Sequence, residues 1–220
     1  MNIKKTANSL LNFTTRKLAE IFGIIIFISG TMLLVALISY SPEDPNFIFP
    51  DNTEIKNLLG IQGSYISDLF FQSIGIIAYL ISFTLIITGI NIFRIKEFFL
   101  IIENIFFASL YCIFGTLFLT FFYSKGFTLY INGNGGFVGN YLNQTFFNSL
   151  ILVNENIFYY ILIFLIIILF LISINFSLTK FFIFIKNLIS LFSKNKDNIY
   201  TDKSEIISEY IPQDEIKNLI

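Results

Sequence analysis

Long apolar stretches separated by short polar segments dominate the pattern along the chain. Four of them reach about 20 residues, the length that an α-helix needs to cross a hydrocarbon core about 30 Å thick. They run over residues 21–40, 69–93, 104–123 and 157–178. In the last, 15 of the 18 residues from Ile157 to Ile174 are Ile, Leu or Phe, and each favours insertion by about 0.3–0.6 kcal/mol. The pattern predicts an all-α integral membrane protein with four transmembrane helices.

Basic residues precede the first apolar stretch, as they also do in a cleavable signal peptide. The stretch is longer than the apolar region of such peptides, which holds about 7–15 residues. It is followed by Ser39-Tyr40-Ser41-Pro42, which is not a small-residue cleavage site. We therefore expect an uncleaved first helix.

The positions of Lys and Arg predict the orientation of the helices, because cytoplasmic loops carry an excess of these residues. One long loop connects the first and second apolar stretches, and another connects the third and fourth. They hold one lysine each, Lys56 and Lys125. Most other basic residues lie in the remaining segments. They are Lys4, Lys5, Arg16 and Lys17 before the first stretch, Arg94 and Lys96 between the second and third, and Lys180, Lys186, Lys194 and Lys196 after the fourth. We expect both termini in the cytoplasm and both long loops outside, with residues 1–20 as a cytoplasmic segment and residues 21–178 as the four-helix domain.

Composition removes several classes of function. The chain has no His and one cysteine, Cys112, so it lacks the commonest metal ligand and the usual general base near neutral pH. If the third helix starts at Asn104, Glu103 stays at the cytoplasmic interface and no charge lies within a predicted span, which disfavours a proton relay or an ion pathway. A net charge of -1 with no basic stripe gives no footprint for nucleic acid. We expect no catalytic residue, no cofactor and no metal.

Small residues recur at sevenfold spacing along the predicted helices, a pattern that lets helix backbones approach closely in lipid. They are Gly23 and Gly30 in the first helix, Gly75, Ser82 and Gly89 in the second, and Ala108 and Gly115 in the third. The spacing fits packing within one chain and packing between chains equally well.

Turn-forming residues mark both predicted outer loops. Pro42 and Pro45 stop the first helix, because two prolines three residues apart cannot sustain it. Glycines then occur before the second helix, inside it, and in the second loop, where the sequence reads Gly135-Gly136-Phe137-Val138-Gly139. We interpret these segments as a structured outer surface.

These segments resemble the N-terminal four-helix (4TM) membrane domain of the FtsK/SpoIIIE DNA translocases. The family carries L-L-S-Y-S-P-x-D-P-S-W at the end of its first span, then N-x-x-G-x-x-G-A-x-x-A-D-x-L-F and F-G-x-x-A-Y, and G-G-x-x-G-x-x-L in its second outer loop. The matches occur in the same order over about residues 20–180. Phe47 replaces the family's Trp, and Ser64 and Ser67 replace Ala, as drift toward an AT-rich composition would produce.

The resemblance implies a multi-pass protein of the bacterial inner membrane that assembles at the septum in cell division and chromosome segregation. It implies a homo-oligomer, a hexamer in the family, that contacts lipid and other cell-division proteins and makes no direct contact with nucleic acid. Residues 179–220 would form a cytoplasmic linker to an ATPase motor, and the motor is absent from this sequence. Structural or partner-contact roles are implied for Ser39, Tyr40, Ser41, Pro42, Asp44, Pro45, Gly60, Gly63, Asp68, Leu69, Phe70, Gly75, Tyr79, Gly135, Gly136 and Gly139.

The glycine-rich segment of the second loop also invites a phosphate-binding interpretation. A P-loop requires G-x-x-x-x-G-K-[ST], and neither Gly-Lys-Ser nor Gly-Lys-Thr occurs in the chain. We expect a turn there instead, leading into a short interfacial helix from Val138 to about Val153.

Two other classes of function compete with the translocase anchor. A non-catalytic subunit of a membrane transport or respiratory complex would need polar midplane residues or cofactor ligands, and a membrane-embedded enzyme would need clustered carboxylates or a nucleophile with its base. The sequence favours the anchor over both.

Overall fold

The computed structural model describes residues 3–46, 54–124 and 131–193. Within them the chain forms eight α-helices: α1 (Ile3–Ile38), α2 (Gly60–Ile74), α3 (Ala78–Ile95), α4 (Leu100–Phe122), α5 (Gly136–Asn143), α6 (Phe146–Val153), α7 (Glu155–Ser173) and α8 (Leu178–Ser193). The chain divides into one unit up to Phe176 and another from Ser177, and each is described by itself. The predicted positions Phe47 and Lys125, and the predicted linker beyond residue 193, lie outside the described residues.

The prediction of an all-α chain with four apolar helices is confirmed. Four helical segments are long and apolar enough to cross a membrane: Leu10–Ile38, Gly60–Ile95, Leu100–Phe122 and Glu155–Ser173. No strand occurs in the described residues. The helices extend the predicted stretches at several ends, most of all at the start of α1, because polar residues such as Asn12 and Thr14 continue a helix that the apolar pattern alone does not mark.

The second apolar segment is broken by a 3₁₀ turn, Gly75–Ile77, between α2 and α3. Gly75 has a φ of +61°, a conformation that side chains with a Cβ rarely adopt. A straight helix over the 36 residues of this segment would be about 54 Å long, which exceeds the hydrocarbon core of about 30 Å. The break therefore divides this segment into two shorter helices, α2 and α3.

One prediction on the later part of the chain is corrected, and the structure adds a helix to the segment of another. The single short helix expected from Val138 to Val153 is two helices, because the chain is extended at Thr145 (φ -94°, ψ -173°) between α5 and α6. The predicted linker at 179–220 begins with a helix, α8, because apolar residues continue through this stretch at helical spacing, as in Phe181-Phe182 and Ile185.

Glycines let α1 and α3 pack against each other within the chain. A Cβ added at Gly23 would lie 2.7 Å from the Phe93 nitrogen, and one at Gly89 would lie 2.5 Å from the Phe27 nitrogen. A Cβ at Gly30 would lie 2.8 Å from the Ile86 nitrogen. The predicted small-residue seam therefore joins two helices of one chain at these positions, as the close approach of backbones in lipid requires.

Helix α4 packs against α7 through aromatic and aliphatic side chains. Tyr111 and Phe170 form an edge-to-face pair with ring centroids 5.8 Å apart. Further along, Leu117 and Leu162 form a buried cluster with Ile151 of α6. This contact brings α6 onto the same helix pair.

Polar side chains between these helices bond to one another. Asn104 is buried and donates to Thr88 Oγ1 at 2.8 Å, and its Oδ1 accepts from Asn175 Nδ2 at 2.7 Å. The hydroxyls of Thr84 and Tyr111 are 2.9 Å apart. An unpaired polar group in hydrocarbon costs several kcal/mol, so these contacts hold α3, α4 and the end of α7 in one arrangement.

We expect Gly89→Leu to destabilise the protein by about 1–3 kcal/mol, because the added side chain overpacks the α1–α3 contact. Ser109→Leu is the matched control, since it adds bulk at an exposed position of α4. Reversible unfolding in SDS and detergent mixtures, followed by circular dichroism, measures the difference. Equal stability of the two variants would contradict close packing at Gly89.

Candidate functional site

The family-like motif residues gather where the two long loops meet the helix ends. We call Ser39, Asp44, Asn57, Ser64 and Ser67 the Asp44 cluster, and Gly75, Asn134, Gly135, Gly136 and Gly139 the glycine cluster. The first belongs to the loop between α1 and α2 and to α2 itself. The second joins the α2–α3 break to the loop between α4 and α5.

Asp44 organises the first long loop from its centre. Its side chain is 2% exposed, and its two oxygens accept the backbone N–H groups of Lys56 at 2.8 Å and Asn57 at 2.9 Å. Charge-assisted bonds of this kind are about twice as strong as neutral ones. They close the loop, since they join positions that are 12 and 13 residues apart.

Asn57 connects the closed loop to α1 and α2. Its Nδ2 donates to the Ala36 carbonyl at 2.9 Å and to Ser67 Oγ at 3.4 Å, while its Oδ1 accepts the Leu59 N–H at 3.0 Å. Gly63 is required beside it, because an added Cβ would lie 2.1 Å from Asn57 Oδ1. The side chain thus satisfies both its donor and its acceptor in a buried place.

Two serines complete the Asp44 cluster. Ser64 donates to the Pro45 carbonyl at 2.6 Å, and Ser67 donates to the Ser64 carbonyl at 3.1 Å. On the other side of the loop, Ser39 Oγ accepts the Leu58 N–H at 3.1 Å. The interpretation of Ser64 and Ser67 as mere compositional drift misses these contacts, because alanine at either position would lose a hydrogen bond.

An exposed ion pair covers the outside of this loop. Glu43 bonds to Lys56, and the hydrogen bond from the ammonium group lowers the pKa of Glu43 while the carboxylate raises the pKa of Lys56. Both side chains are exposed, so solvent screens the pair and it contributes little to stability. The pair still neutralises Glu43.

The glycine cluster holds the second long loop against the α2–α3 break through backbone contacts. The Ile76 N–H donates to the Asn134 carbonyl at 3.0 Å. An added Cβ at Gly75 would lie 1.8 Å from that carbonyl oxygen, and one at Gly136 would lie 2.6 Å from the Ser73 carbonyl. Only residues without a Cβ fit here, because both have positive φ and both touch backbone.

Two further glycines place α5 directly on α4. Added Cβ atoms at Gly135 and Gly139 would lie 1.9 and 2.2 Å from Thr120 Oγ1. This hydroxyl is buried and has no hydrogen-bond partner among the described residues. The three glycines of the second-loop motif therefore serve packing.

Asparagines that sequence reasoning did not select connect the second long loop to α2, to α5 and to the end of α4. Asn132 Nδ2 donates to the Gln72 backbone carbonyl at 3.2 Å and to its side-chain oxygen at 3.1 Å, and Asn140 donates to the Asn132 carbonyl at 2.9 Å. Asn134 donates to the Tyr123 carbonyl. In the sequence, their position beside the glycine motif was the one feature that could have predicted these contacts.

A tyrosine pair connects α1 to the following helices. Tyr40 OH donates to Asp68 Oδ1 at 3.2 Å, and Tyr79 OH donates to the Leu37 carbonyl at 3.1 Å. Burial, followed by the negative charge of Asp68, raises the pKa of Tyr40, so its hydroxyl stays protonated and remains a donor. Asp68 is 4% exposed and also accepts from Gln72 at 3.4 Å.

The remaining motif residues have simpler surroundings. Phe70 packs on the cluster of Leu33, Leu37 and Phe71, whereas Leu69 is exposed. Ser41 Oγ accepts the Glu43 N–H at 3.4 Å, and Pro42 lies at the wall of a cleft beside Tyr40. Gly60 has a φ of +67° and an added Cβ would meet no atom within 4 Å.

The described residues contain no group of three or more His, Cys, Asp or Glu side chains able to hold a metal ion. The Asp44 cluster satisfies its polar groups internally, whereas Asn134 Oδ1 of the glycine cluster is buried and has no hydrogen-bond partner among the described residues. The arrangement combines a fixed backbone with a few oriented polar groups.

Comparison with known proteins places this arrangement in a family. Residues 15–186 match the family model described as the 4TM region of DNA translocase FtsK/SpoIIIE. The chain is 35% identical over 78 residues to a DNA translocase FtsK of Rickettsia bellii, which is 36% of this chain and 10% of that protein. It is 29% identical over 112 residues to a DNA translocase FtsK of Azospirillum brasilense, which is 50% of this chain and 17% of that protein.

A DNA translocase FtsK of Rickettsia typhi is 33% identical over 72 residues, which is 33% of this chain and 10% of that protein. The chain thus corresponds to a small part of these relatives' length. No solved structure matches it.

We expect Gly75→Ala to release the second long loop, because it adds both a strained φ and a clash with the Asn134 carbonyl. Gly60→Ala is the matched control, since it adds strain of about 1–2 kcal/mol without a clash. Hydrogen exchange of the amides from residue 131 to residue 143, in detergent micelles, should rise in the first variant and change little in the second. Equal exchange in both variants would refute the backbone lock.

Proposed function

The chain belongs to the family of the 4TM region of the FtsK/SpoIIIE DNA translocases, and from this we propose that it anchors a DNA translocase in the bacterial inner membrane and assembles it at the division septum. The observation that carries the proposal is the family match over residues 15–186, which takes in all four apolar helices. Membrane anchoring follows from those helices. The septal role rests on the family.

The division of labour within the translocase is part of the proposal. The family match ends at residue 186 and covers the 4TM region, so ATP hydrolysis and DNA movement belong to a motor attached after the linker. The membrane region contributes position and assembly, and it touches no nucleic acid. Its work in chromosome segregation is to hold the motor where the septum closes.

The distribution of charge supports an orientation with both termini in the cytoplasm. Glu20 bonds to Lys17 at 2.8 Å and to Lys96 at 2.7 Å, at the end of the α1–α3 pair that lies away from the Asp44 cluster. Basic residues concentrate on the cytoplasmic side of membrane proteins. The Asp44 cluster and the glycine cluster would then face outward.

Assembly with neighbouring copies and with other division proteins needs surface that the chain leaves open. Helix α7 supplies such surface, since Tyr160 and Phe164 are 72% and 65% exposed. Lipid covers part of it, and we propose that neighbouring copies of the chain, six by family resemblance, cover the rest. Division proteins would meet the outward loops.

The orientation is tested by reporters that distinguish the two sides of the membrane. Alkaline phosphatase inserted after Lys56 or after Lys125 should be active, and green fluorescent protein at either site should be dark. The reverse pattern is expected for insertions after Lys96. Activity of the phosphatase at Lys96 and not at Lys56 would overturn the orientation.

The septal role is tested by where the chain goes in dividing cells. A fluorescent fusion to residues 1–220 should gather at midcell, because the proposal assigns septal assembly to the membrane region. The Gly60→Ala fusion should behave in the same way, while Gly75→Ala should spread along the envelope if the locked loops contact division proteins. Uniform membrane fluorescence of the unaltered fusion would defeat the septal proposal and leave anchoring intact.

A further inference from the structure

Helix α8 follows the last membrane-spanning helix after a fixed turn. Helix α7 ends at Ser173, and Asn175 has a φ of +51°, a left-handed conformation that interrupts the helix. The Asn91 side chain donates to the Ile174 carbonyl at 3.2 Å, and Asn175 Nδ2 donates to Asn104 Oδ1 at 2.7 Å. These bonds fasten the end of α7 to α3 and to the first turns of α4.

The turn lies at one boundary of the membrane. Helices α4 and α7 are both long and apolar enough to span it, and α4 begins at Leu100, so its first turns mark one edge of the hydrocarbon core. Only Phe176 and Ser177 separate Asn175 from the start of α8. The chain therefore enters α8 close to the membrane surface, which is the cytoplasmic surface in the proposed orientation.

The sequence of α8 has an apolar face. Helix α8 has 16 residues, fewer than the roughly 20 that cross a bilayer. Polar residues such as Asn187 and Ser190 fall on the opposite side from the apolar face, and Ile183 is the exposed apolar residue among them. Apolar residues recur at intervals of three and four, which is the spacing of one helical face, at Leu178, Phe181, Phe182, Ile185, Leu188, Ile189 and Phe192.

Side chains on this face are largely exposed where the structure describes them. Phe182 and Ile189 are 65% and 61% exposed, and they lie on the same side of the helix because they are seven residues apart. Exposed apolar surface of this kind marks a site of interaction. Lipid is the apolar phase next to it, since α8 starts where a membrane-spanning helix ends.

The charge of this segment favours one class of lipid. The sequence from Leu178 to Lys196 holds four lysines and no Asp or Glu. Lys186 is exposed, and it lies about 40° around the helix from Phe182 and about 60° from Ile189. It is therefore at the edge of the apolar face, where a lysine can rest its methylenes on apolar surface while its ammonium group reaches the lipid headgroups.

We propose that α8 lies along the membrane surface with its apolar face in the lipid, and that its lysines bind anionic phospholipid headgroups. Helices of this composition bind at the interface through buried apolar area and through attraction to anionic lipids. The segment that the sequence suggested as the start of a linker is then a membrane contact in addition to the four spans. The proposed orientation enters only in naming the leaflet as the cytoplasmic one.

The position of α8 is measured with nitroxide spin labels on the whole chain, in nanodiscs of phosphatidylcholine with about 30% phosphatidylglycerol. Labels are attached in Ile189→Cys, on the apolar face, and in Asn187→Cys, on the polar face, both in a Cys112→Ala background. Both sites are exposed in the chain alone, so lipid is what makes their surroundings differ. Cys112→Ser replaces Cys112→Ala if the latter is unstable.

The labels report their surroundings through collisions with oxygen, which concentrates in lipid, and with a neutral nickel chelate, which stays in water. We expect the ratio of oxygen to nickel collisions to be at least about threefold higher at residue 189 than at residue 187. Equal ratios at the two sites would overturn the interfacial position of α8.

The role of charge is measured in the same Ile189→Cys chain by changing Lys186. Transfer from neutral to anionic nanodiscs should raise the oxygen-to-nickel ratio at residue 189 by at least about twofold. Lys186→Arg should keep this rise because it retains the charge, and Lys186→Glu should lose more than about half of it. An equal rise in the two variants would refute headgroup binding by α8.

Contact with another protein chain gives a different result. A label at residue 189 that collides rarely with both reagents would be covered by protein, which overturns lipid as the occupant of the apolar face. Nanodiscs offer both surfaces of a bilayer, so no outcome depends on the orientation or on the septal role. Diffuse fluorescence of the fusion in cells would leave the inference on α8 standing, and failure of the lipid contact would leave the septal proposal standing.

Discussion

The hydrogen bond from the Ile76 N–H to the Asn134 carbonyl is the contact on which the loop surface depends. It requires the break after α2, because a continuous helix would have used the same N–H within itself. Glycine at 75 and 136 makes the approach possible. Gln72 and Asn132 lie close to this contact in sequence and bond to each other, so a side-chain bond reinforces the backbone contact. Together they fix the second long loop against α2.

Burial makes the hydrogen bonds of the polar side chains important for stability. In an apolar surrounding a lost hydrogen bond leaves the full desolvation cost of the orphaned group, and the chain avoids this at Asn57 in the first loop and at Asn104 between the helices by using both ends of each amide. Asp44 follows the same rule with two backbone donors. Asn134 and Asn143 depart from it, because the Oδ1 atom of each is buried and has no hydrogen-bond partner among the described residues.

The sequence was sufficient for the four apolar helices, because hydropathy and length depend on composition alone. It also identified Asp44, Gly75 and Gly136 through their motifs, although it offered no reason why each residue type is needed. That reason lies in partners far along the chain, such as Asn134 for Gly75, and a single sequence does not encode which residues meet. For the same cause Ser64 and Ser67 looked interchangeable with alanine. Helix α8 was not predicted as a helix for a different reason, since it follows the last span and leads into a polar, charged tail that suggested a linker.

Glycines allow the helices to pack in one part of the chain, and charged side chains provide groups for recognition in another. Where α1 meets α3, the helices pack closely because glycine has no side chain. The contact of Gly23 with Gly89 therefore presents no functional group that a partner could recognise. Where the loops meet, the backbone is fixed by the same means, yet carboxylates stand at its edge. A membrane anchor needs the first property in order to fold in lipid, which offers no hydrophobic drive between helices. It needs the second in order to choose among partners, because complementary charge excludes wrong partners more effectively than it strengthens right ones. Under the proposed function, the loop surface is therefore the part of this chain that would carry specificity, and the spans would hold it in place.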